Sequence, residues 1–193
     1  MAWSVAATVA PPATEPVALE EAKEFVSIDA DVTEFDKLLA SFIAAARGHT
    51  EDRTNTRLVD QTVELLADEW CDLLRLPIGP VTAIEAISFD DRSGEARAIV
   101  LDTVELCGQG LWRGIRPRTG QGWPNDLHSQ SEAIKVRLRV GYDLLPPVIK
   151  TALLLMVSDQ FAFRESGVIG TVAAETKSSM RVDALLANHR IWL

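Results

Sequence analysis

The stretch IKVRLRVGYDLLPPVIKTALLLMVSDQFAFRES, residues 134–166, joins two different hydrophobic periodicities across a pair of prolines. Its first seven residues alternate between apolar and basic side chains, which is the pattern of an antiparallel strand with one buried face. The apolar positions are Ile134, Val136, Leu138 and Val140, and the basic positions are Lys135, Arg137 and Arg139. The sequence therefore predicts a strand that ends near Gly141.

A long helix is predicted directly after the prolines. Pro146 disfavours the helical conformation for the residue before it, and Pro147 suits the first helical position because the N–H that proline lacks has no partner there. The helix is predicted to cover residues 147–164, and its side chains are apolar on nearly every face. A helix of this kind is buried, either in the core of its own chain or against another subunit.

The apolar side chains of this helix divide into two predicted groups. We expect Leu153, Leu154 and Val157 to face the core. We expect Phe161 and Phe163 to lie nearer a contact with a neighbouring subunit, because the apolar surface exceeds what one small core requires.

Composition limits the classes of function. The chain has 193 residues, of which 47% are hydrophobic and 24% are charged, and these values are typical of a folded globular protein. Its formal net charge is −9, whereas a protein that grips DNA by its phosphates needs a concentrated basic patch. We therefore expect no tight, phosphate-gripping contact with DNA.

No constellation of residues indicates catalysis. Cys71 and Cys107 lack the spacing of a zinc site or of a disulfide framework, and His49, His128 and His189 lack the spacing of metal ligands. The sequence also contains no nucleophile elbow and no glycine loop of the phosphate-binding kind. We predict a protein that is not an enzyme, with no catalytic residues, no cofactor and no metal.

The chain as a whole reads as helices, then strands, then helices. The predicted fold class is α+β: a small bundle of three main helices, with an antiparallel β insert between the second and third helices and an extended C-terminal tail. Residues 15–55 hold the first two helices, the second with a single apolar stripe, and the β insert covers about residues 58–142. Within it, the segment RLVDQTVELLADEW, residues 57–70, fits both a helix and a strand.

Both ends of the chain are predicted to lie outside the main domain, which covers residues 15–166. Residues 1–14 read as a flexible arm, because two prolines interrupt a short apolar run. Residues 167–193 read as a linker followed by the aromatic-anchored tail DALLANHRIWL. Such a tail either binds a partner or packs back on its own domain. The residues that would carry partner binding are Asp183, Leu185, Leu186, His189, Arg190, Ile191 and Trp192.

The basic face of the strand before the prolines needs negatively charged partners, because three like charges on one strand face repel each other. We expect these charges to pair with acidic side chains on a neighbouring strand or subunit. The net negative charge favours this pairing over contact with DNA phosphates. The predicted subunit interface therefore consists of Phe161, Phe163, Lys135, Arg137 and Arg139.

Taken in order, several pieces of the chain resemble the head–tail adaptor (connector, head-completion) proteins of long-tailed phages and gene transfer agents. The pieces are EPVALEEAKEFVSID, EFDKLLASFIAAARGHTEDRTNTRLVDQTVEL, LPIGPVTAIEAISFDD, IRPRTGQGWP, VRLRVGYDLLPPVIKTALLLMVSDQFAFRES and VDALLANHRIWL. They span nearly the whole chain from Glu15. The stretch TVELCGQGLWRG and the arm before Thr14 depart from the family's pattern.

The resemblance implies that residues 61–65 form a strand, and it implies a structural role. Proteins of this family form a dodecameric ring beneath the portal, extend the DNA channel and provide a docking surface for the tail. The implied partners are other copies of the chain in a homo-oligomeric ring, the portal protein, a neck/stopper or tail-terminator protein, and DNA that passes without sequence-specific binding.

The implied location is the neck of a virion or gene transfer agent particle, after assembly in the host cytoplasm. In that setting the tail within residues 167–193 would bind the portal. The alternative is a tail-side neck or tail-completion protein of the same particle.

Overall fold

A computed structural model of the chain describes residues 3–163 and 180–192. The chain divides into two compact units. Unit 1 comprises Met1–Ala13, Asn55–Asp143 and Ile191–Leu193, and unit 2 comprises Thr14–Thr54 and Leu144–Arg190. The strands lie in unit 1 and the α-helices lie in unit 2.

Unit 1 is built from antiparallel strands. In chain order these are β1 (Ala7–Ala10), β2 (Gln61–Ala67), β3 (Val81–Asp90), β4 (Ala96–Ala98), β5 (Val104–Gln109), β6 (Trp112–Pro117) and β7 (Ile134–Val140). One sheet has the strand order β1–β2–β7–β3–β4, and β5 pairs with β6 in a separate hairpin. The structure thus has the mixed helical and antiparallel-sheet character that the sequence predicts.

The central strand β7 confirms the prediction made from alternation. Its four apolar side chains, Ile134, Val136, Leu138 and Val140, are all buried, while Lys135 and Arg139 are exposed. β2 pairs with β7 along its whole length, which confirms the strand that the resemblance implied for residues 61–65. The buried faces of these strands, with β3, form the core of unit 1.

The N-terminal segment, expected to be a flexible arm, contributes an edge strand to this sheet. β1 pairs with β2 in antiparallel orientation. Upstream of it, the Ser4 N–H donates to the Leu66 carbonyl at 3.0 Å, and the Leu66 N–H donates to Ser4 Oγ at 2.9 Å. The main chain of this short apolar run thereby pairs with the N–H and C=O groups on the outer edge of β2. Pro11 and Pro12 follow β1 and end the strand, and they do not prevent it from forming. The β part is therefore more than an insert between two helices.

Unit 2 is helical. It contains α1 (Leu19–Phe25), α2 (Asp36–Thr54) and α3 (Pro147–Ala162), and each of these helices packs on the other two. α1 begins four residues later than the predicted boundary at residue 15, and α3 begins at Pro147 as predicted. The buried residues of α3 are Ile149, Ala152, Leu153, Leu154 and Val157, which confirms the three side chains expected to face the core.

The C-terminal tail differs from the extended segment that we expected. Residues 180–186 are α-helical, and Ala187–His189 forms a 3₁₀ turn. Val182 and Leu186 are both buried. Because they stand four residues apart, they lie on one side of the helix, and burial of that side explains why the segment is helical. The part of the predicted linker before residue 180 lies outside the described residues.

The junction between β7 and α3 depends on glycine. Gly141 has φ +134°, and a Cβ atom on it would lie 2.5 Å from the carbonyl carbon of Val59. No other residue fits this conformation and this close backbone approach. The chain can therefore leave the sheet at this point and reach the double proline.

Candidate assembly surfaces

The basic face of β7 is paired with acidic side chains of β2 and of the turn before it. Arg137 Nη2 lies 3.0 Å from Glu64 Oε2, and the strand register places the two residues directly opposite each other. Arg139 makes two contacts with Asp60: its Nε donates to Oδ1 at 2.7 Å, and its Nη2 donates to Oδ2. This confirms pairing with a neighbouring strand for Arg137, and Arg139 finds its carboxylate just before that strand.

The Arg139–Asp60 contact changes the ionisation of both groups. The hydrogen bond from Arg139 lowers the pKa of Asp60, and the hydrogen bond to Asp60 raises the pKa of Arg139. Each shift favours the charged form of its group, and the two opposite charges neutralise each other. Lys135 is exposed on the same strand. That these three cations lie at a subunit interface remains a prediction.

The two phenylalanines at the end of α3 have different environments. The Phe161 ring packs edge-on against Phe35, with 5.5 Å between ring centroids. The Phe163 side chain is 45% exposed, and it lines a cleft of about 680 Å³ in unit 2 together with Ala45, Met156 and Val182. Phe163 is thus available for contact with another molecule, whereas Phe161 already has an aromatic neighbour.

The last described residues of the tail are held by a small site in unit 1, which we name the tail clasp: Asn55, Arg75 and Gly79. Ile191 is fully buried there. Asn55 Nδ2 donates to the Ile191 carbonyl at 3.0 Å, and an Arg75 Nη donates to the Trp192 carbonyl at 3.0 Å. A Cβ on Gly79 would lie 3.1 Å from Ile191 Cδ1, so glycine leaves room for the isoleucine.

The tail therefore packs back on its own chain, which is one of the two alternatives left open by the sequence. Asp183 pairs with Arg53 at 3.1 Å, Leu186 and Ile191 are buried, and Trp192 is 57% exposed. The remaining three residues of the predicted binding set, Leu185, His189 and Arg190, are half-buried. The binding of a partner by these seven residues remains a prediction.

Exposed apolar side chains also occur in unit 1, and they were not predicted from the sequence. Leu74 is 58% exposed and Trp112 is 47% exposed. The Arg75 guanidinium lies 4.7 Å from the centre of the Trp112 ring, a cation–π contact. The only available signal was the isolated tryptophan in a glycine-rich stretch, and position in the sequence alone does not show that β6 presents it to solvent.

Candidate metal ligands and thiols are the groups that would indicate chemistry. Within residues 3–163 and 180–192, no group of three or more His, Cys, Asp or Glu side chains could hold a metal ion. The hydrogen bond from Cys71 to Glu69 raises the pKa of that thiol, which disfavours the nucleophilic thiolate. No helix in the same ranges is long and apolar enough to cross a membrane.

Comparison with solved structures shows which known fold this chain has. This chain superimposes on a chain in the neck of an empty gene transfer agent particle computed with C6 symmetry, with a TM-score of 0.75 and 20% sequence identity, over 98% of this chain and 97% of the other. The chain has the fold of a gene transfer agent neck component.

Two further structures give the same result. A chain in the virion of a native gene transfer agent particle matches with a TM-score of 0.75 and 19% identity, over 98% of this chain and 97% of that one. A chain in the neck of a native gene transfer agent particle computed with C12 symmetry matches with a TM-score of 0.64 and 20% identity, over 93% and 95%. No protein-family model and no curated protein matches the sequence.

Proposed function

We propose that this chain is a head–tail adaptor of a gene transfer agent or tailed-phage particle. In this role it forms a homo-oligomeric ring beneath the portal, extends the DNA channel, and offers a docking surface to the tail. Its site is the particle neck, and its helices form the bundle on which the ring is built. Its partners are other copies of itself, the portal and a neck/stopper or tail-terminator protein.

The observation that carries this proposal is the match in fold over almost the full length of both chains. The necks in which the matched chains occur were computed with six-fold and twelve-fold symmetry, so those chains stand in repeated copies around an axis. Exposed apolar side chains such as Phe163, Leu74 and Trp112 are the surface that a subunit of such a ring would bury.

The electrostatics are compatible with a channel through which DNA passes. The net charge is −9, and two of the three cations on β7, Arg137 and Arg139, pair with Glu64 and Asp60. Such a surface releases few counterions from DNA, and so it would not retain a passing duplex. DNA would therefore pass without sequence-specific binding.

Electron microscopy of particles from cells that lack this chain tests the function. We expect heads filled with DNA but without attached tails, and restoration of tails when the chain is supplied again. Normal tailed particles in its absence would refute a neck role. Tails that are complete but not attached to heads would support the adaptor role. Loss of a tail-side neck or tail-completion protein, the second candidate, would instead leave the tails themselves incomplete.

We also propose that the tail binds the portal. Deletion of residues 181–193 is a poor test, because it removes the buried Val182, Leu186 and Ile191 and would damage the fold. Trp192→Ala is a better test because this side chain is 57% exposed, and Met180→Ala, at a 66% exposed residue outside the predicted binding set, is the matched control. We expect portal capture by purified protein to fall at least tenfold for Trp192→Ala and to be unchanged for Met180→Ala; equal capture by both would exclude a role for Trp192.

A further inference from the structure

The five-stranded sheet of unit 1 has two open edges. β1 lies at one end and pairs only with β2, and β4 lies at the other end and pairs only with β3, among the strands that the structure describes. All residues of β1 and of β4 are exposed. Each edge therefore presents main-chain N–H and C=O groups that can pair with another strand.

The β1 edge lacks the features that normally prevent such pairing. Exposed edge strands usually carry charged side chains or internal prolines, yet residues 1–14 contain no charged residue, and the prolines follow β1 rather than interrupt it. Val5 is 94% exposed and Val9 is 46% exposed. A register shift between Thr8 and Ala10 limits the edge to a short pairing segment.

The β4 edge differs in carrying one charged residue, Arg97, between two small ones. Ala96 and Ala98 are small exposed residues, and Val100, shortly after the strand, is 65% exposed. The intervening Arg97 is held by Asp91 at 2.6 Å and by Asp126 at 3.2 Å. Because these two ion pairs fix the arginine side chain, Ala96 and Ala98 are the residues of this edge that a neighbouring strand could approach.

Strand direction decides how two copies could join. The sheet has five strands and every neighbouring pair is antiparallel, so β1 and β4 run in the same direction. A ring is built by a heterologous contact that repeats by rotation, and the rotation between neighbours in a ring of many subunits changes strand direction little. The β4 edge of one copy would therefore meet the β1 edge of the next as a parallel pair.

We propose that β1 of one copy adds to β4 of the neighbouring copy, so that the sheets of unit 1 form a continuous β-structure around the ring. This inference rests on the proposed ring function and names the surface that closes the ring. A short parallel pair is weak by itself, but repetition around the ring multiplies its effect. The alternative, in which two β1 edges meet in a two-fold dimer, would require antiparallel strands and would not lead to a ring.

Cysteine cross-linking tests the pairing directly. In a Cys71→Ser/Cys107→Ser background, one chain carries Ala7→Cys with Ala96→Cys, and a second carries Ala7→Cys with Ala98→Cys. These acceptor positions are two residues apart on one face of the strand and so cover neighbouring registers. The two edges of one sheet are separated by four strand spacings, or about 19 Å, and a disulfide needs a Cα separation below about 7 Å. A bond within one chain is therefore excluded.

The variants are introduced into producing cells, and purified particles are oxidised mildly and analysed on a non-reducing gel. We expect at least one double variant to give a ladder of covalent oligomers, and each single cysteine variant to remain monomeric. The absence of a ladder from both double variants, or a covalent dimer from Ala7→Cys alone, would overturn the inference.

A charge placed on the edge gives a second test, which separates this inference from the proposed function. Val9→Lys adds a charge to an exposed side chain, so the subunit should unfold at the same temperature as wild type. We expect it to enter particles at least tenfold less than wild type, with Met180→Ala as the control. If Val9→Lys enters particles normally, the edge pairing is wrong while the neck role stands, and if the wild-type chain is absent from particles, the proposed function itself fails.

Discussion

At the scale of single residues, Ile191 is a core residue that lies close to the end of the sequence. It is the third residue from the end of the sequence, yet it is fully buried, and two side chains of the tail clasp donate hydrogen bonds to the carbonyls of Ile191 and Trp192. Asn55 itself has φ +54°, a left-handed conformation in which asparagine is tolerated better than most residues. Asparagine thus suits this position twice: it tolerates the left-handed backbone, and its side chain donates the hydrogen bond to the Ile191 carbonyl.

Ile191→Ala should destabilise the protein by about 2–5 kcal/mol, the range for removal of a buried aliphatic side chain that leaves a cavity. The measurement is urea unfolding followed by tryptophan fluorescence and circular dichroism. Met180→Ala is the control, and an exposed substitution of this kind should change stability by less than about 0.5 kcal/mol. Equal effects of the two substitutions would mean that the tail is not docked in solution.

Asp91 is a residue whose charge stabilises one hairpin. It lies in the loop between β3 and β4, where Ser93 Oγ donates to it at 2.5 Å and the N–H groups of Ser93 and Glu95 donate at 2.8 Å and 3.2 Å. Arg97 adds an ion pair. The hydrogen bond from the Ser93 hydroxyl is the main reason that the pKa of Asp91 falls to about 2.

The stability contributed by Asp91 should depend on pH with a definite sign. Its pKa is about 2 in the folded protein and about 3.9 in an unfolded chain, so the ionised form favours folding. The contribution is complete above the unfolded value and is lost as pH falls from about 4 to about 2.

We therefore expect Asp91→Asn to be less stable than wild type at neutral pH, and the difference to shrink progressively below about pH 4. Urea unfolding of both proteins across this pH range measures it. A difference that is constant over the whole range would show that the carboxylate charge plays no part.

At the scale of elements, β2 and β7 form a ladder of opposite charges on the outer face of the sheet. Glu64 lies opposite Arg137, and Asp60, the residue just before β2, pairs with Arg139. Opposite charges directly across two strands stabilise the pair, and like charges destabilise it. The ladder therefore supports the register that also buries the apolar side of β7.

Exchange of the charges in this ladder tests its contribution. Arg137→Glu places two carboxylates opposite each other and should cost about 0.2–1 kcal/mol relative to a neutral pair, and the double variant Glu64→Arg/Arg137→Glu should recover most of that loss. Urea midpoints at low and at high salt measure both variants. If the double variant were no more stable than the single one, the contact between these two side chains would not contribute.

The local sequence pattern was sufficient to predict some helices and strands but not others. β7 and α3 could be predicted because each carries its own signal: alternation in β7, and a proline start with continuous apolarity in α3. β1 could not be predicted, because its stability comes from pairing with β2, some fifty residues away in the sequence. The tail helix has the same difficulty, since Val182 and Leu186 gain a helical face only when other parts of the fold cover them.

At the scale of the whole molecule, the order of the sequence pieces resembled that of particle-neck proteins, and the fold agrees with this resemblance, but the surfaces of the molecule could be described only from coordinates. The basic residues of β7 were predicted to seek acidic partners, and Asp60 and Glu64 provide them within the same chain. The tail clasp was not anticipated, because Asn55, Arg75 and Gly79 are separated in sequence and none forms a recognisable motif. Contacts between residues so distant in the sequence leave no periodic trace.

The charge balance of the molecule leads to a prediction about DNA. With a net charge of −9 and its main basic stripe paired, the wild-type subunit should bind duplex DNA more weakly than about 10⁻⁴ M at physiological salt. Asp60→Asn/Glu64→Gln removes the partners of Arg139 and Arg137 without changing side-chain size. The unpaired arginines could then engage about two phosphates, which should give measurable binding whose logarithm falls with the logarithm of salt concentration with a slope near −2.

Fluorescence anisotropy of a labelled duplex over a salt series measures this difference. Glu24→Gln/Asp31→Asn is the matched control, because it neutralises two exposed carboxylates in unit 2 and changes the net charge by the same amount. Weak binding by wild type and control, with a gain only in the Asp60/Glu64 variant, would show that local pairing as well as net charge keeps DNA free to move. Tight, salt-dependent binding by wild type would instead mean that the stripe engages phosphates, and the surface would then retain DNA rather than let it pass.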